Sequence, residues 1–520
     1  WSAAKMTRLT EKIYIPSRIL LSGKVAGNTV TQMDYGSSNE PVEVEKYDKR
    51  GVTGWTIHKE SDERILVVTK STSANPFGQV LLMPNAVTLP RAKNEVVAGT
   101  RWLTPKIRIV NENSDLSVLC SNANKSWKNT FTFIEEERSG DTVTRPGLRP
   151  PQLGAIYASL AHWTVTEEIG NVVMPTGTGK TETMLALLAQ RRPDHLLVVV
   201  PTSALRDQIA EKFLSFGVLQ QFGIVGKNIK MPVVGKIEHQ FSAPYEASLF
   251  LRSCNVAIAT MAVIGGCTDE VQDALAKECS HVFIDEAHHV AAHTWNGFRE
   301  RVCEYSKPIL QFTATPFRRD GKHIGGRTIF TYPLRKAQEE GYFTPIKFIS
   351  LWEYNRDLAD QTIARRAIQA LKEDTKAGHD HILMARTETI PRALEIFEIY
   401  NALAKEFNPL IVHSEQTNSE RTYAIEALRA HRCKIIVCVD MLGEGFDLPQ
   451  LKIAALHNIH KSLAVTIQFV GRFTRSALGI GEATVIANAG DAEVEEAIED
   501  LYVKDSDWNV VLRRLSEGEN

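Results

Sequence analysis

From about residue 145 onward, apolar runs of strand length alternate with stretches at helical spacing. The runs are Leu196–Val200, Val256–Ala259, Val282–Ile284 and Ile309–Phe312. Such alternation predicts a parallel sheet with crossover helices. Around Arg318–Lys322 the chain turns polar and rich in glycine, ending in Gly325-Gly326, and a second series then begins. Its runs are Ile382–Met384, Leu410–Val412, Ile435–Val437, Ala454–Leu456 and Thr484–Ile486. Two α/β halves are therefore expected, at about 145–335 and 336–495.

Residues 1–144 follow another pattern. Short runs such as Arg64–Val68 and Lys106–Val110 are separated by turn residues, and Phe131-Thr132-Phe133 alternates. The region carries no nucleotide, metal or nuclease pattern. It is expected to be a strand-rich accessory domain, with docking of nucleic acid or a partner as the sharper alternative. Gly140–Pro151 reads as a linker, and Glu496–Asn520, mostly charged, as a helical tail or the start of a further domain. The expected fold class is α/β, two tandem parallel-sheet domains preceded by a strand-rich accessory domain.

Composition narrows this modestly. A chain of 520 residues is too long for one core, so about three domains are expected. Apolar content of 43% and charged content of 23% are ordinary for a soluble protein. A formal net charge of −2 means that any nucleic-acid surface is a local groove and not a general basic field. Seven cysteines without a C-x-x-C pair read as buried thiols in a reducing compartment, cytoplasmic or, in a eukaryote, nuclear, and suggest no zinc site. No run of 18 apolar residues exists to span a membrane, and no signal peptide is visible. Residue 1 is Trp, so the numbering can belong to a fragment.

The candidate chemistry centres on Met174–Thr181, M-P-T-G-T-G-K-T, between a short buried strand and a stretch of helical spacing. Strand, glycine-rich loop and helix make the context of a P-loop. Gly177 and Gly179 let the loop of Pro175, Thr176 and Thr178 turn tightly and bring its available backbone N–H groups close to phosphate oxygens, and the helix N-terminus points at the same anion. Lys180 supplies charge to the β- and γ-phosphates, and the Thr181 hydroxyl can ligate Mg²⁺. The usual opening glycine is Met174 here. The second stretch, Val282–His288, delivers Asp285 and Glu286 at a strand's C-terminal end, where sites lie in open α/β sheets. Asp285 can hold Mg²⁺ and Glu286 can polarise the attacking water. His288, His289 and His293 have metal-like spacing, but Asp-Glu-Ala-His explains the first of them better.

With both stretches in place, the chain resembles superfamily 2 helicases and translocases, whose fold is a pair of RecA-like domains. The P-loop and D-E-A-H resemble motifs I and II; Thr313-Ala314-Thr315-Pro316 resembles motif III; Gln468–Arg475 resembles motif VI, Q-x-x-G-R-x-x-R. Arg149 and Gln152 lie in an element that resembles the adenine-reading one. Gly445 and Asp447 lie in a match to motif V, which with Gln468 implies further nucleotide contacts. Pro201–Gln208, Ala259-Thr260, Ala385-Arg386 and Val412-His413-Ser414 resemble motifs Ia, Ib, IV and IVa. Thr313–Lys322 and Leu334–Phe343 are similar to the group containing type III restriction translocases; DEAD-box RNA unwinders usually carry Ser-Ala-Thr at motif III.

The resemblance implies an ATPase using ATP and Mg²⁺, with Lys180 and Glu286 catalytic and Arg472 and Arg475 as arginine fingers one helical turn apart. Nucleic-acid contacts should be to the backbone, from Thr202, Arg206, Thr260, Arg386 and Ser414, since a translocase must tolerate every sequence. Only residues 450–467 separate motifs V and VI, too few for a long strand-splitting pin. The expected activity is DNA translocation or unwinding. The alternative is a nucleic-acid-sensing ATPase that switches a partner effector, such as a nuclease in a defence or restriction system. No membrane partner is expected.

Overall fold

The computed structural model describes residues 9–488 apart from 50, 60–62, 74–75, 141, 167, 290–291, 315–323, 334–335, 338–339, 341, 343–345, 440–447, 449 and 458–482. Three sheets of six or more strands organise these residues.

The first α/β half is built on a ten-stranded sheet. Seven parallel strands run in the spatial order Arg327–Thr331, Gly170–Val173, Ile309–Thr313, His281–Ile284, Leu196–Val200, Val256–Thr260 and Val233–Ile237. Leu196–Val200 shows why the apolar runs are continuous. Leu196, Val198 and Val200 enter the core under the P-loop helix Lys180–Arg191, whereas Leu197 and Val199 enter the core on the opposite face. A strand buried on both faces needs apolar side chains at every position, and β-branched ones suit the pleat. The second half repeats this plan with six parallel strands, ordered Ile346–Leu351, Ala483–Asn488, Leu451–Leu456, Ile382–Thr387, Ile435–Val439 and Leu410–Val412. There Ile382 and Met384 face one core, and Leu383 and Ala385 the other. The fold class is thus α/β, with tandem RecA-like parallel-sheet halves and a strand-rich region before them.

That N-terminal region is not separate from the first α/β half, as a boundary near 144 would have it. Arg18–Val25 and Asn28–Tyr35 form a hairpin whose second strand pairs antiparallel with Val233–Ile237, and Arg108–Val110 closes the same edge. Asn28, fully buried, fixes the junction: its Oδ1 accepts from the backbone N–H of Glu238 (2.7 Å) and His239 (2.9 Å). The helix Ser117–Ser126 and Trp127 belong to the first α/β half as well; Trp127 lies in its core and donates from Nε1 to the Lys230 carbonyl at 2.8 Å. Only the sheet of Leu9–Ile15, Ser38–Lys49, Val52–His58, Arg64–Val68, Val80–Leu82 and Arg101–Thr104 is an accessory layer with its own core. Residues 496–520 lie outside the described residues.

Candidate nucleotide site and nucleic-acid face

Parallel register brings the chemistry to one edge of the first sheet. Met174 follows the strand Gly170–Val173, and its N–H donates to the Thr313 carbonyl at 2.9 Å. Asp285, one strand further across, donates its N–H to the Val199 carbonyl at 2.8 Å. Motifs I, II and III are therefore neighbours because their strands are neighbours.

The P-loop has the geometry its glycines permit. Gly177 (φ 91°) and Gly179 (φ 98°) both lie in left-handed space, and Gly179 caps the helix Lys180–Arg191. A Cβ at Gly179 would come within 1.9 Å of Gln152 Nε2, so the element carrying Arg149 and Gln152 rests directly on the loop. Thr178, buried, donates from Oγ1 to the Pro175 carbonyl at 2.7 Å and tightens the turn, while Thr176 is half-buried. Gln152 Oε1 accepts from the Arg149 N–H at 2.8 Å, and Arg149 Nη1 donates to the Gly177 carbonyl at 3.2 Å.

At the centre of the site, Lys180 Nζ donates to Glu286 Oε1 at 2.7 Å, both side chains largely buried. Glu286 adopts φ 50°, left-handed for a non-glycine residue, and its N–H donates to Asp285 Oδ1 at 3.0 Å. The two carboxylates thus meet different partners, Asp285 the backbone N–H of the turn and Glu286 the loop lysine. Asp285 and Thr181 are the chain neighbours of the bonded pair, and their all-oxygen donor set fits a hard divalent cation such as Mg²⁺.

The structure adds contacts that the sequence does not announce. His288 Nδ1 lies 3.1 Å from Thr313 Oγ1 and 3.6 Å from Glu286 Oε2, linking motif II to motif III. Lys212 Nζ donates to Glu182 Oε1 at 2.7 Å; burial pushes the Glu182 carboxyl up, but the Lys212 charge and hydrogen bond outweigh it and hold the group below its ordinary range. His288 was visible in its motif; its partner 25 residues on was not, because strand adjacency is not written in spacing.

Four of the five candidate nucleic-acid residues lie at or just past C-terminal strand ends, and Arg206 lies one turn into the helix Ser203–Ser215. Thr202 is exposed and accepts from the Leu205 N–H at 3.3 Å as a helix cap. Thr260 is buried and caps the next helix through the Val263 N–H. Arg206 turns inward: it is buried, bonded to Asp207 Oδ1 at 3.3 Å and to the Ile237 carbonyl at 3.4 Å. Arg386 is buried on Ile382–Thr387, and Ser414 is exposed in the turn after Leu410–Val412. Arg472, Arg475, Gln468, Gly445 and Asp447 lie outside the described residues, as do Thr315 and Pro316. Of the connection between motifs V and VI, the described part is the end of a turn and the strand Leu451–Leu456.

Comparisons with known proteins agree with this geometry. Residues 145–318 match the family described as type III restriction enzyme, res subunit, and residues 363–477 match the helicase conserved C-terminal domain. Together the matches span more than half of the chain. The ATP-dependent RNA helicase DBP8 of Scheffersomyces stipitis is 25% identical over 353 residues, covering 62% of this chain and 73% of that protein. UvrABC system protein B of Treponema pallidum is 31% identical over 119 residues, 22% of this chain and only 17% of its own length. A fragment of a putative HsdR subunit of a type I restriction enzyme from Vibrio vulnificus superposes with a TM-score of 0.49 at 16% identity, covering 93% of this chain and 88% of that one. Helicase domains of this kind are ATP-dependent enzymes of nucleic-acid unwinding and translocation. With a restriction-enzyme-type match in its first half and a helicase C-terminal match in its second, the chain carries the domain pair of superfamily 2 helicases and resembles their restriction-type translocases.

Proposed function

We propose that this protein hydrolyses ATP to move along DNA. The observation that carries the reading is the 2.7 Å contact between Lys180 and Glu286, because it puts the phosphate-binding lysine and the water-activating carboxylate at one point. An arriving triphosphate draws Lys180 to its β- and γ-oxygens and releases Glu286, which accepts the proton of the attacking water as the bond to the leaving diphosphate breaks. Thr181 and Asp285 would hold Mg²⁺, which neutralises charge between the phosphates. His288 hands the state of that site to Thr313 at the start of motif III. Arg472 and Arg475, from the second half, are assigned to charge on the γ-phosphoryl group as the cleft closes. Thr202 and Ser414, exposed at the strand ends of the two halves, are assigned to the nucleic-acid backbone.

The restriction-type family match to the first half and the T-A-T-P-F-R-R-D-G-K stretch favour DNA over RNA. Lys180→Ala is expected to abolish ATPase activity, whereas Glu286→Gln is expected to bind ATP and nucleic acid without turnover. Full activity in the Glu286→Gln protein defeats the assignment. ATPase rates measured on single-stranded DNA, duplex DNA and RNA identify the track. A rate that rises with track length supports translocation; a rate indifferent to length supports a stationary sensor that switches an effector.

A further inference from the structure

The stretch between the last strand of the first half, Arg327–Thr331, and the first strand of the second, Ile346–Leu351, is anchored at the nucleotide site. Phe330, Tyr332, Ala337 and Tyr342 form a small core of their own. Phe330 fills the space that a side chain at Gly154 would need, 2.4 Å from its Cβ position, and so fastens this core to the helix Pro150–Val165. Tyr342 then meets two guanidinium groups: Arg138 Cζ lies 4.7 Å from its ring centroid and Arg149 Cζ 5.2 Å.

Each arginine is fixed from elsewhere. Arg138 donates from Nε to Glu136 Oε1 at 2.6 Å and from Nη1 to the Glu340 carbonyl at 3.1 Å. Arg149 Nε lies 3.6 Å from Glu136 Oε2, while Nη1 holds the Gly177 carbonyl. Arg149 therefore touches the P-loop with one nitrogen while its Cζ lies over the Tyr342 ring. Burial pushes the Tyr342 hydroxyl up to about 12, so the ring meets the guanidinium groups as a neutral face at any working pH. Four peptide units separate Tyr342 from Ile346, so the entry to the second half cannot lie more than about 14 Å from Tyr342.

We propose that Tyr342 is a positioning residue that carries nucleotide occupancy from Arg149 to the connection into the second half. Filling the P-loop changes what the Gly177 carbonyl and Arg149 can bond, and Arg149 cannot move without changing its contact with Tyr342. The ring is the last described side-chain anchor before Ile346, so its displacement re-aims the chain that enters the second sheet. This rests on the reading of Met174–Thr181 as a nucleotide site; it does not need the protein to translocate.

Hydrogen exchange, followed by mass spectrometry on the full chain with and without ADP, tests the assignment. In the wild type, ADP is expected to alter exchange in peptides covering 332–351. Tyr342→Phe should keep that response, since the ring face is retained, and Tyr342→Ala should lose it while the exchange change at the P-loop remains. If Tyr342→Ala does not fold, Arg138→Met removes one of the two cations from the ring and should blunt the response. A Tyr342→Ala or folded Arg138→Met protein with the full wild-type response overturns the proposal, as does a wild type whose P-loop responds to ADP while 332–351 does not. Absence of nucleic-acid-stimulated ATPase activity would instead defeat the motor reading and leave this measurement intact.

Discussion

Gly179 carries two constraints at once. Its φ of 98° belongs to glycine, and Gln152 occupies the volume in which a side chain would grow. Gly179→Ala must therefore move the loop or expel Gln152, at a backbone cost of about 1–2 kcal/mol before any clash is counted. Nucleotide affinity, measured by titration with a fluorescent ADP, is expected to fall at least about tenfold. The loop turn at Gly177 and Gly179 was legible in the sequence because its backbone demands are compressed into a few adjacent positions. Arg206 was not: a helical arginine after a strand reads as a phosphate contact, and only tertiary structure supplies the Ile237 carbonyl and Asp207 that hold it inward. Tyr342 was hidden for a related reason, since its partners Arg138 and Arg149 come from some 200 positions earlier.

Elements of the two motor sheets were legible where every position of a strand is apolar, as in Leu196–Val200. Phe131-Thr132-Phe133 misled, because alternation there is satisfied by ring packing and not by a sheet. Phe131 makes one isolated bridge to Val225, while Phe133 packs edge-on to Phe131 and stacks at 4.9 Å on Tyr157. The strand carrying the acidic pair opens with His281, whose ring packs edge-on against Trp163, with neither ring nitrogen hydrogen-bonded. Burial, helped by the charges of Arg191 and Lys307, lowers its pKa to about 4. Between the ordinary value near 6.5 and 4 the unfolded chain takes up a proton that the folded chain refuses. This group's contribution is thus complete above pH 6.5 and lost as pH falls towards 4, on the order of 3 kcal/mol at the limit. His281→Leu should flatten the decline of the urea midpoint across that window, and an unchanged decline would remove His281 from the account.

On the scale of the whole molecule, the division into accessory region and motor was legible only coarsely. Asn28–Tyr35 pairs with Val233–Ile237 across some 200 residues, and no local pattern encodes a partner that distant. A protein beginning at residue 145 would expose the edge of Val233–Ile237 and strip Leu21, Val25, Val30 and Val110 from the core beneath it. Such a fragment is expected to aggregate, or to melt several degrees below the chain beginning at residue 9, in a thermal scan.

The chain passes between the accessory sheet and the motor sheet three times, at residues 16–17, 36–37 and 105–107. At this seam Arg18 packs against both Tyr35 and Trp102, whose rings meet edge-on, and Trp102 Nε1 donates to the Ser17 carbonyl at 3.1 Å. Three short crossings and a shared edge-on aromatic pair join the two layers. The accessory layer is thus tied to the sheet that carries Lys180 at three points of the chain and through the Arg18 cluster, so loosening of either layer should disturb the other.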